Sequence, residues 1–302
     1  MVRLSALASL LLSLVILSSA TCVPLAKEVE VNGVRLQYLE QGSGEPVVFV
    51  HGAISDLRTW PPAVSETVAK KYRFIAYTQR YHGTGPWNDD GRKYSVATHA
   101  DDLAKFISAL NVGPAHVVGW SYGGWVAIIA AQNTPSLVRS LILYEGGPPS
   151  VLAPDSPEAK TAAEDRAKFT ALAMAALKAG DAMQAAGLFF EAVYQIPSGG
   201  FERQPEAIRT TVLDNARTLP ALFASPPSGI TCESLKNLTQ PTLVLQGEKT
   251  QTYYVLINEA ISRCVPNAQR VILPNVNHVG PARDPAGFSA AVLDFLSKHP
   301  GL

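Results

Sequence analysis

The segment Gly119-Trp120-Ser121-Tyr122-Gly123 is the part of this sequence best suited to chemistry. A run read as a buried strand, Ala115 to Val118, leads into it, and helical spacing from about Gly123 to Gln132 follows. A serine on so tight a strand-to-helix turn has a strained backbone and a hydroxyl that projects from the sheet. Side chains two residues to either side would collide, so glycine is needed at 119 and 123. A Gly-rich turn that merely packs a helix against a strand is the alternative. The chemistry open to such a serine is nucleophilic attack. Its alcohol is a weak nucleophile until a base removes the proton, and a histidine does this well only when a carboxylate fixes its tautomer. Six histidines are available.

The surrounding sequence supplies elements that would position this turn. Glu28 to Leu39 alternates apolar and polar residues around Asn32-Gly33, the signal of a hairpin. Pro46 to Val50, Phe74 to Tyr77, Leu141 to Tyr144, Thr242 to Leu245 and Arg270 to Leu273 read as further strands. The wholly apolar runs among them suit strands buried on both faces of a parallel sheet. Between them lie helical patterns: Ser95 to Leu110 with Ser95 as N-cap, Val255 to Cys264, and an amphipathic closing helix from Phe288 to Lys298. Residues 150–237 break the alternation. They are rich in Ala, Leu, Lys and Glu, and hold no convincing buried strand. The fold class expected is α/β: a mostly parallel, doubly wound sheet with an inserted helical cap. The boundaries expected are 27–147 and 238–302 for the core and 148–237 for the cap.

At these residues the chain resembles the α/β-hydrolase superfamily, over nearly all of the sequence after the leader. His51-Gly52, Gly119 to Gly123 and a histidine after the last strand carry the resemblance. It implies the α/β-hydrolase fold and a serine hydrolase, with Ser121 as nucleophile. It implies His278 as base, because His278 alone lies in the loop after the last strand; a hydrogen-bonded loop histidine is the alternative. It also implies an oxyanion hole made by the backbone N–H groups of Ala53 and Tyr122.

The sequence departs from the family pattern in three places. Asn277 stands where Gly often precedes the histidine. Thr78-Gln79-Arg80-Tyr81-His82-Gly83 replaces the usual Asp-x-Arg-Gly loop. Thr250 stands where the aspartate after the penultimate strand is usual. The triad acid is therefore expected at Glu145, at the end of the strand Leu141 to Tyr144, a position that dehalogenase-like members of the superfamily use. Glu248 is the rival, and a turn cap or a partner for a cap arginine is the structural alternative for Glu145.

Composition bounds the partners. Twenty-five basic and 25 acidic residues balance, so neither nucleic acid nor an acidic solvated arm is indicated, and a small, largely neutral acyl substrate is expected. No cofactor loop and no metal-ligand spacing is evident, so no cofactor is expected. Met1-Val2-Arg3, the apolar run Leu4 to Leu17 and Ser18-Ser19-Ala20 read as an export signal over residues 1–20, with an uncleaved anchor as the alternative. No other stretch would span a membrane. In an exported protein Cys232 and Cys264 are expected to be bridged, since they fall on neighbouring elements of a β–α–β unit. Two other functions fit the same residues: an acyltransferase or perhydrolase, and a small-molecule receptor on a hydrolase scaffold. Epoxide or dehalogenase chemistry would call for Asp in place of Ser121.

Overall fold

The computed structural model describes residues 26–301. The leader expected over residues 1–20 lies outside them. Eight strands form one sheet: β1 Lys27–Val31, β2 Val34–Gln41, β3 Pro46–Val50, β4 Arg73–Tyr77, β5 Ala115–Trp120, β6 Val138–Tyr144, β7 Thr242–Gly247 and β8 Gln269–Leu273. Their spatial order is β1-β2-β4-β3-β5-β6-β7-β8. The six from β4 to β8 in that order run parallel, and the β1–β2 hairpin adds two antiparallel strands at one edge. Asn32 and Gly33 both have positive φ, 48° and 73°, as the two-residue hairpin turn requires.

The central strands are mostly apolar because helices cover both faces. Val48, Val50, Val117, Leu141, Leu143 and Val244 pack on one side, with α2 (Val96–Ala109), α3 (Tyr122–Asn133) and α9 (Thr252–Cys264). Their neighbours in the strands, Val47, Phe49, Val118, Ile142, Leu243 and Leu245, pack on the other, with α1 (Pro62–Ala69) and α11 (Pro285–Ser297). Each such side chain contributes about 1.5–3 kcal/mol on burial, so the two half-cores hold the sheet in one register. Ser95 caps α2 as its sequence implies, accepting a hydrogen bond from the Thr98 N–H at 3.1 Å.

Strand order reverses direction at β3: β4 lies to one side of it and β5 to the other. The carboxyl ends of β3 and β5 therefore border the crevice where ligands enter open α/β sheets. The chain leaves those two ends as His51-Gly52-Ala53 and as Ser121. Between β6 and β7 the chain runs through α4 (Pro157–Lys178), α5 (Ala182–Tyr194), α6 (Glu206–Asp214), α7 (Thr218–Ala224) and the short α8 (Cys232–Leu235). Part of this segment forms a small apolar cluster of its own with Ile54, including Phe190, Phe201, Val212 and Leu219. A further short helix, α10 (Gly280–Arg283), follows His278.

Candidate active site

Ser121 connects β5 to α3 with φ 54° and ψ −121°, a conformation that costs a non-glycine residue about 1–3 kcal/mol. The surroundings over-determine it. Its N–H donates to the Tyr144 carbonyl at 3.0 Å. A Cβ on Gly119 would sit 2.6 Å from the Gly123 carbonyl oxygen, and one on Gly123 would run into the carbonyl oxygens of Val50 and His51. The backbone thus comes so close on both sides of the serine that only hydrogen fits at 119 and 123.

Glu145 directly follows β6, with φ 46°, and is 1% exposed. Its carboxylate collects three donors: the Gly247 N–H on Oε1 at 2.8 Å, the Thr250 hydroxyl on Oε2 at 2.8 Å, and His278 Nδ1 on Oε2 at 2.7 Å. A carboxylate only accepts, so Nδ1 carries a proton, and in the neutral tautomer with that proton Nε2 keeps its lone pair. Thr250, standing where the family usually has its acid, therefore donates to the Glu145 carboxylate at the end of the adjacent strand. The rival Glu248 is exposed, and it accepts from the Asn275 N–H at 2.8 Å.

His278 is held from two further directions, one at the ring and one at the backbone. It stacks on Tyr254, with centroids 4.0 Å apart and planes at 16°. The Trp120 indole N–H holds the His278 carbonyl at 2.9 Å. Asn277 ties the same loop to α5, donating to the Tyr194 carbonyl at 3.0 Å. Sequence reasoning does not reach Trp120, Tyr254 or the role of Thr250. The one available signal was a tryptophan inside the Gly-x-Ser-x-Gly motif, where a side chain must pack beside Ser121.

The oxyanion donors expected from the resemblance lie at the crevice. The Tyr122 N–H is the first of α3 and has no intrahelical acceptor. Ala53 belongs to the turn after β3, in which a Cβ on Gly52 would be 3.3 Å from the Ser121 Cβ. That turn is braced by His51. Burial lowers the His51 pKa to about 4, and the neutral ring can then do two things at once. Nδ1 donates to the Gly52 carbonyl at 2.8 Å, and Nε2 accepts from the Gln79 N–H at 3.0 Å. The Gln79 side chain also donates to the His51 carbonyl at 2.8 Å, which gives the divergent loop after β4 a structural role.

His51 belongs to a buried histidine group. His82 lies 4.7 Å from it, ring to ring, and His99 bonds the Tyr122 hydroxyl through Nδ1 at 2.7 Å. Burial holds His99 down at about 3, His82 well below its ordinary value, and the separate His116 at about 4. Unfolded, these rings take up protons near pH 6.5; folded, they resist protonation until the pH is far lower. The unfolded state therefore binds more protons in that window, and stability rises with pH across it. Their contribution is complete above pH 6.5 and is lost as the pH falls towards 4, at about 1.4 kcal/mol per unit for each such histidine. Urea unfolding at pH 7.0, 5.5 and 4.5 is expected to show a loss of several kcal/mol; equal stability at the three values would contradict it.

Two lobes of one crevice meet at Ser121. The first, about 350 Å³, is lined by Ser121, His278, Trp120 and apolar residues of α5 and α6. The second, about 290 Å³, is lined by Ser121, Tyr122, Glu145 and residues of α4, α7 and α9. Ala53 and Phe189 face both. Of the aromatic residues in the inserted segment, Phe190 and Tyr194 line the first lobe and Phe223 the second. Away from the crevice Cys232 and Cys264 form a disulfide, with Cα atoms 5.1 Å apart, joining the start of α8 to the end of α9. A bridge closing a loop of this size stabilises by about 2–4 kcal/mol.

The profile of the alpha/beta hydrolase family matches residues 47–291. The 2-(acetamidomethylene)succinate hydrolase of Mesorhizobium japonicum is 26% identical over 280 residues, covering 90% of this chain and 95% of that protein. The non-heme chloroperoxidase CPO-A1 of Kitasatospora aureofaciens is 26% identical over 285 residues, covering 88% of this chain and 98% of that one. Among solved structures, the esterase RhEst1 of Rhodococcus aligns with a TM-score of 0.73 at 25% identity, over 91% of this chain and 99% of that one. Fold, crevice and profile agree: the chain belongs to the alpha/beta hydrolase family and is an enzyme of that kind.

Proposed function

We infer that the protein hydrolyses an ester, lactone or related acyl compound through an acyl-serine intermediate. The observation that carries this reading is the 2.7 Å contact from Glu145 to His278 Nδ1, on a ring that lines the same lobe as Ser121. His278 Nε2 takes the proton of the Ser121 hydroxyl as its oxygen attacks the acyl carbon. The N–H groups of Ala53 and Tyr122 receive the oxyanion. Collapse of the tetrahedral intermediate breaks the bond to the leaving group, which takes the proton back from His278. Water, deprotonated by the same ring, then attacks the acyl-serine and regenerates the enzyme.

The helices of residues 148–237 act in this reading as a cap that walls both lobes. The Cys232–Cys264 bridge supports export, because such bonds persist in oxidising compartments. The likeness to a chloroperoxidase favours hydrogen peroxide as a second acyl acceptor, giving a peracid from the same intermediate.

Rapid mixing with a short 4-nitrophenyl ester tests the reading. A burst of 4-nitrophenol close to one equivalent is expected, and a fluorophosphonate should add its mass to the peptide that contains Ser121. Binding of the ester with no burst and no adduct would instead mark a receptor.

A further inference from the structure

The two lobes each contain one arginine, and the two arginines are in opposite states. Arg58, in the first lobe, is already satisfied. It forks onto Asp56 at 2.9 and 2.7 Å and reaches Asp214 at 2.8 Å. Arg166, in the second lobe, makes no side-chain hydrogen bond and no ion pair among the described residues. Its guanidinium lies over the Phe223 ring, 5.8 Å from the centroid. The single acid lining that lobe, Glu145, has both oxygens taken by Gly247, Thr250 and His278.

The helix that carries Arg166 is held in place. The preceding residue, Asp165, accepts the Tyr253 N–H at 2.8 Å and so pins α4 to the start of α9. Ser225 lines the same lobe, and its hydroxyl is buried without a partner. A half-buried, unpaired guanidinium in a lobe walled by Phe169, Phe223 and Tyr254 is incomplete by itself. A carboxylate would complete it with paired, charge-assisted hydrogen bonds.

The acyl-serine reading decides which end of a substrate enters here, and the inference rests on it for that point. The leaving group must be protonated by His278, and His278 lines the first lobe only. The leaving group therefore occupies the first lobe and the acyl chain the second. We propose that the preferred substrates are acyl compounds whose acyl chain ends in a carboxylate, such as hemi-esters of dicarboxylic acids, and that Arg166 is the residue that selects them. Such a substrate carries a negative charge, unlike the largely neutral one suggested by the balanced charge of the chain.

The test compares mono-4-nitrophenyl adipate with its methyl ester, which has the same acyl chain and no charge. The free acid should have the higher kcat/KM by about 10- to 100-fold, the range of charge-assisted hydrogen bonds. Arg166→Gln should bring the ratio to near one, mainly through KM for the acid. Arg166→Lys, which keeps the charge without the fork, should retain part of it. Calorimetric titration of the Ser121→Ala protein with monomethyl adipate, with and without Arg166→Gln, measures the anion site independently of turnover. Turnover of both esters with no preference, or a preference that Arg166→Gln leaves intact, overturns the inference and leaves the hydrolase reading standing. Absence of turnover, with binding that Arg166→Gln weakens tenfold or more, removes the hydrolase reading and keeps the anion site. Binding that is indifferent to Arg166 overturns the inference whatever the turnover.

Discussion

Replacing Ser121 with Ala is expected to lower kcat by about 10⁴-fold or more and to leave the unfolding midpoint where it is. The reasons for the two halves differ. Alanine retains the Cβ, so the strained backbone at φ 54°, the N–H bond to Tyr144 and the glycine contacts at 119 and 123 are untouched. Only the hydroxyl disappears, and with it the acyl-enzyme. A residual rate of about 10³–10⁴ over the uncatalysed reaction should survive from the oxyanion donors and from binding. His278→Ala should show a loss of similar size. The double variant should be little worse than either, because the two residues act as a unit. Initial rates on a 4-nitrophenyl ester, with thermal unfolding in parallel, check all three. Turnover by Ser121→Ala within tenfold of the unaltered protein would remove the mechanism.

Most of the frame that holds this site is legible in the sequence, for a definite reason. Strands covered on both faces bury nearly every position, so β3, β5 and β7 announce themselves as short, mainly apolar runs. The elbow is legible because its close backbone approach excludes every residue but glycine at two positions of fixed spacing. The hairpin is legible because Asn32-Gly33 supplies two positive φ values. What is missing is set by contacts between distant segments. Helix α1 is short, and its apolar face reduces largely to Val64 and Val68, too few to show a period. The stacking of Tyr254 on His278 depends on where α9 docks. The isolation of Arg166 is a property of what does not lie near it, and no local pattern encodes that.

Thr250 is the instructive case, and the second large effect turns on it. The sequence shows an uncharged residue where an acid is usual, which points to Glu145 without saying what the threonine does. In the structure the Thr250 hydroxyl and the His278 Nδ1 both meet Oε2 of Glu145, at 2.8 and 2.7 Å. Glu145→Gln is isosteric, so the fold should keep nearly all of its stability, yet the amide can be seated in only one way. Its oxygen must face the Gly247 N–H, a backbone donor that cannot turn away. The NH2 group then faces Thr250, whose hydroxyl can rotate to accept, and His278, whose ring can accept at Nδ1 only by moving its proton to Nε2. That tautomer cannot take a proton from Ser121. The expected loss in kcat is on the order of 10⁴-fold, the size seen when the triad acid is amidated elsewhere. Glu248→Gln should change kcat by less than about twofold, as expected for an exposed side chain away from the ring. Adding Thr250→Asp to Glu145→Gln should bring a carboxylate towards Nδ1 from the loop after β7 and recover at least part of the lost rate. Near-normal turnover by Glu145→Gln, or an equal loss in Glu248→Gln, would show that the acid lies elsewhere. Failure of Thr250→Asp alone would show that position 250 cannot bring a carboxylate to the ring.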